Sequence, residues 1–281
     1  MAGRGAERLA APGDTAGGSW LGPVERVWGL AWLRKLALLA LLALLWELIA
    51  RWQGNPLLLP TFLDIARAFL AALREGLPAK AWASLALLLK GYAIGAALAL
   101  LLTSLAVSFQ LGRDLLGLLT AMLNPLPAIA LLPVAMLWFG IGETSLIFVL
   151  VHAVLWPLAL NALQGFTSVP ETLRLVGRNY ALGGPRYVLQ ILIPAAFPAI
   201  LAGLEIGWAF AWRTLIAAEL VFGVSSGQGG LGWFIFQARN ELLTDRVFAG
   251  LATVVLIGLL VENLVFRPIE RRTVRRWGMV R

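Results

Sequence analysis

Residues 167–198 read TSVPETLRLVGRNYALGGPRYVLQILIPAAFP. Four prolines (Pro170, Pro185, Pro194, Pro198) and the pair Gly183-Gly184 punctuate this stretch, and Arg174 and Arg178 lie between the first two prolines. On either side runs an apolar segment long enough to cross a bilayer. Most connections between packed elements are short, so a polar interruption of this length calls for a reason.

The composition around it is that of a membrane protein. Of 281 residues, 60% are hydrophobic and only 14% charged. The mean hydropathy is +0.83. Soluble domains sit nearer half apolar and a quarter charged. Cysteine is absent, which excludes disulfides and thiolate metal sites. The single histidine, His152, cannot build a His-rich metal site and is expected to be a hydrogen-bonded helix residue. No metal site is expected. The net charge of +8 comes from basic residues flanking apolar spans. Topology and anionic membrane lipid account for it, rather than nucleic acid.

Six spans are expected, making an all-α membrane protein: about Leu30–Ile49, Ser84–Phe109, Leu115–Phe139, Ser145–Phe166, Ala199–Val221 and Val247–Phe266. Residues 1–27 read as a mobile cytoplasmic tail, 28–270 as the six-span domain with the loop 167–198, and 271–281 as a basic cytoplasmic tail. The first apolar run is too long for a signal-peptide core and is taken as an uncleaved span. Between spans one and two, Pro60–Leu73 predicts a short helix outside the bilayer, with Thr61 and Asp64 at capping positions. The third span holds Pro125, Pro127 and Pro133, which kink or break a helix. With the N-terminus cytoplasmic, fifteen of the 23 Lys and Arg residues fall on the inner side and six on the outer. That asymmetry predicts both termini inside, and places residues 167–198 in the cytoplasm.

Catalytic chemistry finds no purchase. Walker-type phosphate loops, nucleophile elbows and H-E-x-x-H are all missing. The run Gly227–Gly232 is glycine-rich without dinucleotide spacing and predicts a tight external loop. In the fifth span Glu205, Trp208, Trp212 and Glu219 share one helical face, with Arg213 one step away. Two readings stand side by side. The stripe lines a translocation route, or it is structural, with Arg213 pairing a carboxylate on another helix. Most tryptophans fall near span ends, where indoles prefer the interface. A secondary transporter is the alternative class, but it predicts inverted repeats and midplane acids in both halves.

A single six-span unit needs a second copy to enclose a central pathway. A two-fold homodimer is the simplest closure, with Gly91, Gly95, Gly203 and Gly207 as candidate close-approach points between copies or within one subunit.

The stretch 167–198 resembles the cytoplasmic loop of ABC importer permeases, whose pattern is E-A-A-x3-G-x9-I-x-L-P. Anchored on Ile193-Pro194, Ile191 takes the pattern's isoleucine and Ala181 its glycine. Leu175-Val176-Gly177 then take the E-A-A positions. Trp138–Glu143, Trp212–Glu219 and Gly230–Gly232 are similar to the nitrate/sulfonate/taurine branch. The resemblance implies a type I ABC importer permease fold with six transmembrane helices and a cytoplasmic coupling helix, in a bacterial inner membrane. It implies two permease copies, a cytosolic ATPase dimer that holds ATP and Mg, and an external binding protein that delivers the solute. No cofactor is expected on this chain. Coupling to the ATPase would fall on Leu175, Val176, Gly177, Arg178, Ala181, Gly183, Gly184 and Arg186. The transported solute, on this resemblance, is a small organic or inorganic anion such as a sulfonate or nitrate.

Overall fold

In the computed structural model, residues 31–222 and 229–275 are described. The N-terminal tail, most of the glycine-rich run before Gly229 and the last six residues lie outside them. Among the described residues the chain is helical throughout. It opens with α1 (Ala31–Gln53) and α2 (Phe62–Arg74). The cap of α2 is as expected: Thr61 Oγ1 accepts from the Asp64 amide at 3.2 Å and donates to the Asp64 carboxylate at 2.7 Å. Helix α3 (Leu77–Ala106) follows, then α4 (Gln110–Leu123), a 3₁₀ turn (Ala128–Leu131) and α5 (Leu132–Phe139). Helix α6 (Glu143–Thr167) and the short α7 (Glu171–Asn179) precede the stretch that leads into α8 (Ile193–Phe222). Helices α9 (Leu231–Asn240) and α10 (Thr244–Val261) follow, the latter continued by helical turns to Arg275.

Four helical runs are long and apolar enough to cross a membrane: Leu77–Ala106, Glu143–Thr167, Val188–Val221 and Thr244–Val274. A fifth candidate is the pair α4 and α5, bent by 89° at the proline-rich break 124–127. The third expected span is thus broken, because Pro125 and Pro127 remove amide donors where a straight helix would need them. The described residues give four spans, or five with the bent pair, against the six expected. The remaining expected span is α1, 23 residues long, whose uncharged run covers only residues 36–46 between Lys35 and Glu47.

Two boundaries differ from the sequence reading. The loop 167–198 ends early, since the helix of the fifth span begins near Gly184 and runs through Pro194 and Pro198. A π-helical turn, Val188–Leu192, makes this possible. It widens the helix where the Pro194 ring, which lacks a donor, would clash with the preceding turn. The sixth span also overruns, continuing through π-helical turns to Arg275, with Val274 buried in the core. Residues 271–275, expected to open a basic tail, are thus helical.

Helix α6 is the axis of the bundle. Glycines on its neighbours let their backbones close onto it. A Cβ on Gly91 would lie 2.6 Å from Leu150 Cβ, and one on Gly203 would lie 2.9 Å from Asn161 Cβ. Gly95 and Gly207 meet Val154 in the same way. All four candidate close-approach glycines thus serve packing within the subunit. The outward sides of α1, α3 and α10 carry exposed leucines, as lipid-facing helices do.

Candidate functional site

The polar groups of the membrane-embedded helices fall into two sets. The first is spent on packing. Glu219 is 4% exposed, and its carboxylate accepts from Ser84 Oγ at 2.7 and 2.8 Å and from the Gly232 amide at 2.7 Å. Ser84 Oγ in turn accepts from the Leu231 amide at 2.8 Å. Those amides open α9 and would otherwise lack acceptors. One carboxylate thus ties α3, α8 and the start of α9 together, as an anion at a helix N-terminus should. Gly232 is obligatory here: a Cβ would stand 2.6 Å from Glu219 Cβ and 2.7 Å from the Ile216 carbonyl. The expected external glycine loop is, in its described part, the cradle of this carboxylate.

Trp208 and Trp212, on the same face, are also buried. Trp212 Nε1 donates to the Val254 carbonyl at 3.2 Å, and Trp208 packs edge-on against Tyr92 and Phe266. Tyr92 Oη donates to the Leu204 carbonyl at 2.9 Å. Glu205 is half-buried on this face, and Lys90 pairs with Glu143 across α3 and α6.

The second set is left over. Arg213 points away from the tryptophans. Its Nε donates to the Ala209 carbonyl at 3.0 Å and its guanidinium lies 5.0 Å from the Phe210 ring centre. Among the described residues no carboxylate pairs with it. Arg213 borders a cleft of about 400 Å³ at the break between α4 and α5, walled by Asn124, His152, Trp156, Phe210 and Thr214. His152 departs from expectation. Both its ring nitrogens are buried without a hydrogen-bond partner, and so is Asn124 Oδ1. His152 lies nine residues from the start of α6 and Arg213 nine from the end of α8. At 1.5 Å per residue both sit about 14 Å deep in antiparallel neighbours. Of the five fifth-span residues singled out in the sequence, only Arg213 lines this cleft. His152 and Asn124 were missed as site residues, although the Asn124–Pro127 break was the available signal: irregular backbone at membrane depth belongs beside a cavity.

At the other end of the bundle, α7 lies across the ends of α6 and α8. Leu173, Val176 and Tyr180 follow at i, i+3 and i+7 and are exposed, as is Leu175. Arg178, Ala181, Gly183, Gly184 and Arg186 are exposed too. Gly177 is the exception. It is buried under Tyr187, with a Cβ placed 2.7 Å from the ring, so it seats the helix. Arg174 turns back and donates to the Phe166 carbonyl at 2.9 Å and the Val169 carbonyl at 3.2 Å, closing the end of α6.

Helix α7 ends in a Schellman turn. Leu182 N donates to the Gly177 carbonyl and Ala181 N to the Arg178 carbonyl, both at 2.9 Å. Ala181 has φ +48°, the left-handed conformation that favours glycine. It is the residue that took the glycine position of the importer pattern.

Comparison with known proteins gives a consistent picture. Residues 91–275 match the family model described as "Binding-protein-dependent transport system inner membrane component". The chain is 32% identical to the taurine transport system permease protein TauC of Escherichia coli over 261 residues, 90% of this chain and 91% of that protein. It is 28% identical to the nitrate import permease protein NrtB of Synechocystis over 256 residues, 86% and 90% of the two chains.

Proposed function

The chain belongs to the family of binding-protein-dependent transport system inner membrane components, and on that premise we propose how its two ends and its cleft work together. It is an ABC importer permease and a multi-pass inner-membrane protein. In the proposed arrangement α1 is the first of six spans, both termini are cytoplasmic, and two copies face each other around a central path. The excess of basic residues on the inner side supports the orientation. ATP and Mg are held by a separate ATPase pair, and an external binding protein delivers the solute.

The solute is a small anion. The observation that carries this is Arg213, an unpaired cation bordering a cleft at membrane depth. Charge there is costly unless it faces an aqueous path. The relatives' names point the same way, since taurine carries a sulfonate and nitrate is an oxyanion.

Coupling falls on α7. Its exposed Leu173, Val176 and Tyr180 suit a groove on the ATPase, in the manner of an amphipathic helix laid into a partner. Arg178 and Arg186 flank them, and Gly177 with the Ala181 turn fixes the helix to α8, so that motion of one carries the other. ATPase closure then biases a two-state rocking of the spans.

The test is uptake into proteoliposomes holding the permease, its ATPase and its binding protein. Taurine or nitrate uptake should require ATP and be lost without the ATPase. Uptake persisting without it would overturn the reading in favour of a secondary transporter. Arg178→Glu should leave the assembled spans intact while ATP turnover no longer drives uptake; unchanged coupling removes Arg178 from the contact.

A further inference from the structure

Three buried polar atoms without a hydrogen-bond partner meet at the cleft, the two ring nitrogens of His152 and Asn124 Oδ1, and the exposed guanidinium of Arg213, whose Nε donates to the Ala209 carbonyl, borders it beside them. Buried polar atoms in folded proteins almost always find partners. Leaving these three buried atoms orphaned at one place costs several times the desolvation of a single group. The same protein satisfies its other membrane-depth polar groups, Glu219, Ser84, Tyr92 and Trp212, to within 3.2 Å. The cleft is therefore where an outside group is missing.

The chemistry of the three residues is mixed. Arginine supplies only donors and is fixed in charge. Asn124 Oδ1 is an acceptor. A neutral imidazole offers one donor and one acceptor. A bare oxyanion such as nitrate would satisfy Arg213 and the imidazole donor, but would leave Asn124 Oδ1 and the imidazole acceptor empty. A ligand with an oxyanion at one end and an N–H group at the other satisfies all of them. The remaining walls, Trp156, Phe210, Leu126 and Ile129, are apolar and suit a short methylene linker.

We propose that this cleft is a solute-binding site within the permease itself, selective for a short amino-sulfonate over a plain oxyanion. The sulfonate meets Arg213 and the ammonium meets Asn124 Oδ1, with His152 bridging the two. The proposal rests on the importer reading above and adds a recognition step to it: the permease reads both ends of the solute after the binding protein releases it.

The experiment separates the two claims. Equilibrium binding of tritiated taurine to the permease–ATPase complex in nanodiscs, without binding protein, reads the site. ATP-driven uptake in proteoliposomes reads the importer. Taurine should bind saturably, with ethanesulfonate and nitrate competing at least about tenfold more weakly, as loss of a charge-assisted hydrogen bond predicts, and with choline not competing. Arg213→Gln should weaken taurine at least about tenfold, and Arg213→Lys less. Asn124→Ala should weaken taurine while leaving ethanesulfonate unchanged, so that the preference between them collapses. His152→Ala should weaken both. Arg239→Gln, at an exposed position on α9, should change neither. Absence of taurine binding, equal affinity for ethanesulfonate, or a preference that survives in both Asn124→Ala and Asn124→Gln would overturn the site while ATP-driven uptake stood. Loss of uptake in the unmodified complex would instead strike at the importer reading.

Discussion

The two faces of helix α8 make opposite use of polar side chains. On one face Trp212 and Glu219 are buried and fully engaged, the first on the Val254 carbonyl and the second on Ser84 and Gly232. On the other, Arg213 borders a cleft where His152 and Asn124 have no partner. A polar residue at membrane depth is thus not by itself a sign of a pathway. What separates the two uses is whether the protein has already supplied the partner. Satisfied groups hold helices together; orphaned ones are open to a partner from outside the chain, as proposed above.

This contrast can be broken most forcefully at Glu219. Glu219→Ala leaves the Ser84 hydroxyl and the Gly232 amide without their acceptor, each worth about 1–3 kcal/mol. The melting temperature of the purified protein should fall sharply, with α9 detaching first in hydrogen exchange. A stable variant that had lost only transport would instead put Glu219 on the path. Trp212→Phe tests the same face more gently. It removes one hydrogen bond and some volume, so about 1–2 kcal/mol of stability should go, measured by chemical denaturation, while solute preference stays as it was. Arg213→Gln should do the reverse, shifting solute binding while the melting temperature holds. The smallest effect lies at the α7 end of the bundle. Ala181→Gly relieves a left-handed alanine and should stabilise the α7 turn by about 0.5–1 kcal/mol, read as slower amide exchange at Leu182.

Much of this was legible in the residues. The spans and their order follow from apolar runs, and the break in the third span from Pro125 and Pro127. The cap of α2 was visible in Thr61 and Asp64. The importer pattern was readable although its glycine is Ala181, and the backbone there still adopts the conformation a glycine would serve. Other features misled. Pro194 and Pro198 look like the end of a loop, yet a π-helical turn carries the helix through them. Periodicity put Trp208, Trp212 and Glu219 on one face without saying what that face meets. Ser84, 135 positions away, is the partner that decides it for Glu219. His152 was expected to be a hydrogen-bonded helix residue, and its ring nitrogens have no partner.

Local chemistry explains the division. Hydropathy, proline and glycine act over a few residues, so the sequence alone determined that this chain is a helical membrane bundle, where its third span breaks, and which family's loop it carries. Whether a carboxylate is a latch or an arginine is available depends on groups far away in the chain. Only the tertiary structure brought Ser84 and Gly232 to Glu219, and set Arg213 at a shared cleft beside the unbonded His152 ring nitrogens and Asn124 Oδ1.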